Sequence, residues 1–289
     1  MSAILHRSLH SPGAMAWQRL RQNRAAVTAA VILAGIALLC FLGPLLTPHE
    51  PAHIDWSMMS IPPDAASAHW FGTDALGRDL FARTLAGGRI SLAVGFVATL
   101  VSLVIGISWG AIAGYFGGRI DAVMMRAVDI LYAMPFMFFV ILLMVFFGRD
   151  ILLVFIAIGA VNWLDMARIV RGQTLSLKEK EFVLAARATG LSGFAIIFRH
   201  IVPNILGVVV VYTTLTVPQV ILVESFLSFL GLGVQEPATS WGALVNEGAR
   251  EMEIAPWTLL FPAGFLATTL FCLNFVGDGL RDALDPKDR

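Results

Sequence analysis

The sequence predicts an all-α polytopic integral membrane protein with six transmembrane helices. Three observations carry that expectation. Apolar residues make up 57% of the 289-residue chain and charged residues only 14%, against about 25% in a soluble domain. Mean hydropathy is +0.78, and the apolar residues fall in long, nearly uncharged blocks, several of them long enough to cross a bilayer. Basic residues gather between alternate blocks, the asymmetry that orients membrane helices. Net charge is zero, so charge is informative only between loops. No internal repeat or low-complexity tract complicates this reading.

Taken in order, residues 1–24 form a polar N-terminal tail carrying Arg7, Arg19, Arg21 and Arg24. Residues 25–46 are uncharged, enough for one span of about 30 Å of hydrocarbon. The block is too long for a cleaved signal region and shows no cleavage site, so it reads as an uncleaved anchor. Residues 47–89 are polar and rich in Pro, Asp and His. Ile90–Gly118 forms the second span and Ile130–Gly148 the third, with Pro135 as its kink. A turn at Gly148-Arg149-Asp150 leads to the fourth, Ile151–Ala167. Ile201–Gln235 exceeds one span, which predicts a fifth helix followed by a re-entrant piece that breaks at Gly231-Leu232-Gly233. Ile254–Gly277 is the sixth span, and 281–289 is a charged tail. Cys40 and Cys272 each sit inside an apolar block and read as buried thiols rather than a disulfide.

Six spans with both termini on the inner side place fifteen Lys and Arg residues inside and five outside, which satisfies the positive-inside rule. The long interruption at 168–203 then lies inside and carries six of those charges. It reads as two short helices and a turn. Ser176-Leu177-Lys178-Glu179 matches a capping box, and 177–189 continues with good helix formers. Gly190 stands where a helix C′ residue would. Ser192 is placed to cap a second helix with Phe194, Ile197, Phe198 and Ile201 on one face. Pro203 ends that helix or begins the next segment. An inner-side helix–Gly–helix element reads as a docking surface.

Several chemistries are excluded. The only lysines are Lys178, Lys180 and Lys287, and none follows a glycine-rich phosphate loop, so the chain is not expected to hydrolyse nucleotide that way. His49-Glu50-Pro51-Ala52-His53 matches the H-E-x-x-H zinc pattern, but prolines flank and interrupt it, so the two histidines are not expected at one helical face. It reads as a solvated loop, with no metal bound and no catalytic residues. Asp129 and Asp165 read as boundary charges, with Arg126 one turn from Asp129. Glu224 lies deeper and has no obvious partner. Two roles stay open for it, lining a polar path or gate and closing the re-entrant break.

The 168–203 stretch resembles the cytoplasmic coupling loop of ABC-importer permeases. That pattern has Glu-Ala-Ala, three residues, Gly, nine residues, then Ile-x-Leu-Pro. Ala185, Ala186, Gly190 and Pro203 match it; Leu184, His200 and Val202 replace the Glu, Ile and Leu. Glu181, one turn earlier, is the candidate to stand in for the missing Glu. Further stretches resemble the peptide-permease group: His69-Trp70-Phe71-Gly72-Thr73-Asp74, Gly77-Arg78-Asp79, Gly88-Arg89-Ile90-Ser91-Leu92, Glu224 to Gly233, and Ser240-Trp241-Gly242. Asp165 to Lys178, Arg199 to Asn204 and Gly277 to Lys287 are similar to its oligopeptide branch.

The resemblance implies a type I ABC importer fold, with a transmembrane domain over 90–280, a periplasmic segment at 47–89 and cytoplasmic tails. It implies a bacterial inner-membrane permease that is not itself an enzyme. Its partners would be a second homologous permease, two ATPase subunits, a periplasmic peptide-binding protein and the lipid bilayer, with no nucleic acid. ATP and Mg would sit on the ATPases, and no cofactor on this chain. Glu181, Leu184, Ala185, Ala186, Gly190 and Pro203 would couple to those ATPases. A charge at Ala186 or a proline at Gly190 is expected to disconnect hydrolysis from transport without unfolding the spans.

Overall fold

A computed structural model describes residues 12–147 and 151–284. The Gly148–Asp150 turn, the first eleven residues and residues 285–289 lie outside the described residues. Every named element is helical; the only β features described are two isolated bridges, Asp64 with His69 and Thr73 with Asp79. In order these are α1 (Pro12–Gln22), α2 (Arg24–Leu46), α3 (Leu80–Phe116), α4 (Gly118–Ala133), α5 (Phe136–Phe147), α6 (Ile151–Leu177), α7 (Glu181–Ala188), α8 (Gly193–Ile196), α9 (Val202–Phe229), α10 (Trp241–Glu251) and α11 (Trp257–Leu284). Among the described residues, four stretches are long and apolar enough to cross a membrane: Arg24–Gly43, Leu80–Phe116, Gly193–Phe229 and Trp257–Leu284.

α2 starts at Arg24, where the Asn23 side chain accepts from the Ala26 N–H at 3.1 Å. α3 begins ten residues before the expected second span. Asp79 is its N-cap, accepting from the Ala82 N–H at 2.6 Å, and the first turns are buried at Leu80, Phe81, Ala82 and Leu85. Polar residues at 78–89 mask this start in a hydropathy reading, because Arg83 and Thr84 are buried with partners rather than solvated. The expected kink at Pro135 is a break between two helices, α4 and α5, since proline removes a donor and disfavours helix at the residue before it.

α3 and α6 are closely packed along their length. Gly106, Gly110 and Gly114 recur at four-residue spacing on α3, and a Cβ on any of them would collide with Met166, Ala167 or Thr174 of α6. Such small-residue stripes let helix backbones approach closely where water supplies no driving force. At one end of α3, Ala111 joins Met166 and Val170 of α6, and Ile196, Ile197 and Ile201, in one apolar cluster. At the other end, Phe81 and Leu85 meet Ile36 and Cys40 of α2 and Trp241 of α10. Both cysteines are free and buried, as expected.

The stretch expected to hold the fifth span forms α9, which ends at Phe229. The chain then turns at Gly231 (φ +74°) and folds back as α10, with Trp241, Gly242, Leu244 and Gly248 buried. Trp241 is fully buried, and its indole N–H donates to the Thr84 carbonyl at 3.0 Å. Residues 55–79, the start of α3, α10 and the start of α11 thus form a cap at one end of the molecule. Phe71 stacks on Phe261 with centroids 3.9 Å apart, and the Trp257 indole N–H donates to the Thr73 carbonyl at 3.1 Å.

Candidate functional site

The expected docking element lies at the opposite end of α3 from the cap. The capping box at Ser176–Glu179 does not form. α6 continues to Leu177, and α7 starts at Glu181 after Lys180, which makes no side-chain cap. Packing of α6 along α3 carries its helix past Ser176. The other local signals act as expected. Gly190 has φ +81°; its N–H donates to the Arg187 carbonyl at 3.0 Å, and that of Leu191 to Ala186 at 3.4 Å. This is the paired closure of a Schellman motif. Ser192 Oγ accepts from the Ala195 N–H at 3.3 Å and caps α8. A π-helical turn, Ile197–Ile201, joins α8 to α9 without interruption, and Pro203 sits in the first turn of α9. Proline is tolerated there because the first N–H groups of a helix have no internal acceptor.

This turn splits the predicted apolar face. Ile197 and Ile201 are fully buried, while Phe194 and Phe198 are 56% and 54% exposed. On α7, Val183 and Ala186 turn inward, and Phe182 and Leu184 remain exposed. Glu181, Leu184, Ala185, Gly190 and Pro203 are on the surface. Ala186 is not: it packs in the cluster of Val183, Ile196 and Ile197. A charge there would be buried against apolar side chains, so it would test folding before it tested docking. The structure therefore presents a two-helix surface of exposed Phe and Leu side chains, mounted on a buried isoleucine base. Contiguous exposed apolar groups of this kind mark interaction sites.

Behind this surface two ion pairs fasten α4 to α6. Arg171 donates to both Asp121 carboxylate oxygens, at 2.5 and 2.6 Å. Asp129 pairs with Arg168 at 2.9 Å rather than with the neighbouring Arg126. Asp165 is half-buried.

Glu224 is fully buried on α9. Ser91 Oγ donates to it at 3.0 Å and Ser228 Oγ at 2.7 Å. Those hydroxyls accept in turn from the Trp241 N–H and the Val234 N–H, both at 3.2 Å. The carboxylate thus ties α3, α9 and the returning 230–241 chain together.

The cap contains a group that sequence reasoning missed. Asp74 is buried, accepts from the Leu76 and Arg78 N–H groups at 2.9 Å, and binds Arg78 Nε at 2.7 Å. Arg83, also buried, bridges Asp74 to Glu247, the latter at 2.6 Å, while Arg78 reaches Glu236 at 2.6 Å. The Arg78 hydrogen bond holds Glu236 below the usual carboxylate range. Burial, with Asp74 and Glu247 nearby, pushes Glu251 up. Residues 158 or more positions apart meet here, so no local pattern signals the network. The α3 glycine stripe was missed too, although Gly recurs at every fourth position of an apolar block at 106, 110 and 114. In the 49–53 stretch, His49 lies with His69 and Asp79 rather than with His53.

The fold and this surface define a polytopic helical membrane protein of the importer-permease class. Residues 106–289 match the family described as binding-protein-dependent transport system inner membrane component, and 11–63 match the N-terminal TM domain of oligopeptide transport permease C. The chain belongs to the binding-protein-dependent transport permease family. It is 61% identical over 285 residues to the oligopeptide transport system permease protein OppC of Escherichia coli (strain K12), covering 97% of this chain and 94% of that protein. It is 57% identical to OppC of Haemophilus influenzae, over 96% and 90% of the two chains. It is 46% identical to the dipeptide transport system permease protein DppC of Bacillus subtilis, over 95% and 85%. A solved structure of the MetNI methionine ABC transporter in inward-facing conformations shares the fold, with a TM-score of 0.54 at 18% identity, covering 69% of this chain and 94% of that one.

Proposed function

We propose that this chain is the permease subunit of an ATP-driven oligopeptide importer in a bacterial inner membrane. With a second, homologous permease it forms the path, and a periplasmic binding protein delivers peptide to it. Two separate ATPase subunits carry ATP and Mg, one of them seats on the α7–α8 surface, and this chain performs no catalysis. The observation that carries the reading is the 61% identity, over nearly the whole chain, to an oligopeptide permease. The exposed Phe182, Leu184, Phe194 and Phe198 supply a face for the ATPases. In this reading α4–α5 and α6 add two spans to the four long stretches, both termini and this surface are cytoplasmic and the cap is periplasmic; the distribution of basic residues supports it. The 46% identity to a dipeptide permease keeps dipeptides as the second substrate reading; nickel or glutathione carriage within the family, and a stand-alone secondary transporter, stand further off.

The test is ATPase activity of the complex that co-purifies with the tagged chain in liposomes, with binding protein and a mixture of tri- to pentapeptides. Peptide-stimulated hydrolysis supports the reading, and Leu184→Asp is expected to abolish the stimulation with the unfolding temperature unchanged. Stimulation by dipeptides or nickel alone corrects the substrate. Transport by the chain without any ATPase overturns the mechanism.

A further inference from the structure

The 47–53 stretch lies against the start of α3. His49 follows the end of α2, and its ring stacks on that of His69 with centroids 4.2 Å apart and planes 18° from parallel. His69 Nδ1 lies 2.8 Å from Asp79 Oδ2, and Asp79 is 2% exposed. One potential ligand atom from each of His49, His69 and Asp79 lies within 4.8 Å of the other two. His49 Nε2 is sealed from solvent and has no hydrogen-bond partner. A buried polar atom without a partner costs about 1–3 kcal/mol. The neighbouring His69, Asp74, Arg78, Asp79 and Arg83 are all paired, whereas His49 Nε2, like Glu251 Oε2 farther along the cap, is not.

The chemistry of the donors is specific. An ionised Asp79 makes His69 donate from Nδ1, which leaves the His69 Nε2 lone pair available. A carboxylate behind an imidazole is the arrangement that fixes the tautomer and orientation of metal-ligating histidines. Two imidazole nitrogens favour borderline ions such as Zn²⁺, Cu²⁺ or Ni²⁺ over the oxygen-seeking Mg²⁺ and Ca²⁺. His49 also lines a cavity of about 310 Å³ with Thr47, Glu50, Leu85 and Arg89, which gives room for water ligands and brings one carboxylate to offset the Arg89 charge. We propose that His49 and His69 form a binding site for a divalent cation of the Zn²⁺ class, with Asp79 behind His69 as its positioning residue. For both lone pairs to meet one ion, the His49 ring turns out of the stack about its Cβ–Cγ bond, a soft torsion. His49 lies outside any helix, so nothing regular holds that ring. An ion there links the end of α2 to the start of α3, across the boundary between the first span and the cap.

The test uses the full chain without a histidine tag, in nanodiscs with the subunits that accompany it, titrated with Zn²⁺ and separately with Co²⁺. One Zn²⁺ per chain, counted by mass spectrometry, and a Co²⁺ d–d absorption band are expected. His49→Ala is expected to weaken Zn²⁺ binding at least about tenfold, within or beyond the range for disturbing a metal ligand's support, and to remove the Co²⁺ band. His53→Ala is expected to change neither. Zn²⁺ should raise the unfolding temperature of the parent protein and not of His49→Ala, because ligands stabilise the state that binds them. His49→Ala removes no side-chain hydrogen bond, and an unchanged unfolding temperature without metal verifies its fold. Absence of stoichiometric Zn²⁺ overturns the proposal, as does full binding by His49→Ala. Loss of binding in His53→Ala overturns it as well and assigns the ion to the 49–53 motif.

Discussion

The two ends of α3, about 55 Å apart at 1.5 Å per residue, are built by opposite means. At the α7–α8 end, order is local: a Schellman closure at Gly190, a serine cap at Ser192 and a Pro203 start, all within a few residues of what they satisfy. One face is anchored by Ile197 and Ile201, and the other leaves Phe194 and Phe198 more than half exposed. At the cap, order is long-range: Asp74, Arg78 and Arg83 reach Glu236 and Glu247 across the chain, and Trp241 is sealed against Thr84 and Ser91. The cap pairs its buried arginines with carboxylates from distant parts of the chain. The α7–α8 element leaves its outer apolar face exposed.

The comparison breaks most readily at Asp74. Asp74→Ala removes the more buried of the two carboxylates that the Arg78 and Arg83 guanidiniums share, leaving Glu247. Removing one partner of a buried charge group costs about 3–5 kcal/mol, so a large drop in unfolding temperature in nanodiscs is expected; a drop no larger than a surface substitution gives would show the cap is not closed this way. Next is the isoleucine base. Ile197→Ala is expected to cost about 2–5 kcal/mol, and Phe198→Ala within about 0.5 kcal/mol, by denaturation of the same preparation; equal losses would erase the distinction between anchored and open faces. Gly190→Ala tests local closure alone. A Cβ there meets nothing within 4 Å, so only the left-handed backbone matters, at about 1–2 kcal/mol; hydrogen exchange should report loosening confined to α7 and α8.

The smallest effect is at Glu251, whose pKa is raised in the cap. Its ionised form is disfavoured in the folded state. That cost is absent below the ordinary glutamate value of about 4.3, grows as pH rises toward the folded pKa, and is constant above it. Glu251→Gln, which mimics the protonated form, should therefore unfold at a higher temperature than the parent at pH 7, with the gap closing as pH falls. A gap that widens in acid would reverse the assigned sign.

What could be read in advance follows the same division. The first span, the turn at Gly190 and the cap at Ser192 depend on residues near in sequence, and each was legible. The start of α3 at Leu80 was not, because Arg83 and Thr84 look solvated until their partners are known. Ser176–Glu179 has the right residues for a capping box, but α6 runs through it on the strength of its contact with α3. Asp129 finds Arg168 across two helices instead of Arg126 beside it. Ala185 and Ala186 are indistinguishable in sequence, and one faces out while the other is core.

The chain by itself therefore determined the class, the long apolar helices and the place of the short helices around Gly190, because hydropathy, helix caps and glycine conformation act over a few residues. Only the tertiary structure decided which apolar side chains that element keeps for itself and what Glu224 holds together. It alone brought His49 to His69 and joined Asp74 to two arginines and the far carboxylates. Those outcomes depend on pairing buried polar groups across more than a hundred residues, and the cost of burial is set only when the partners meet.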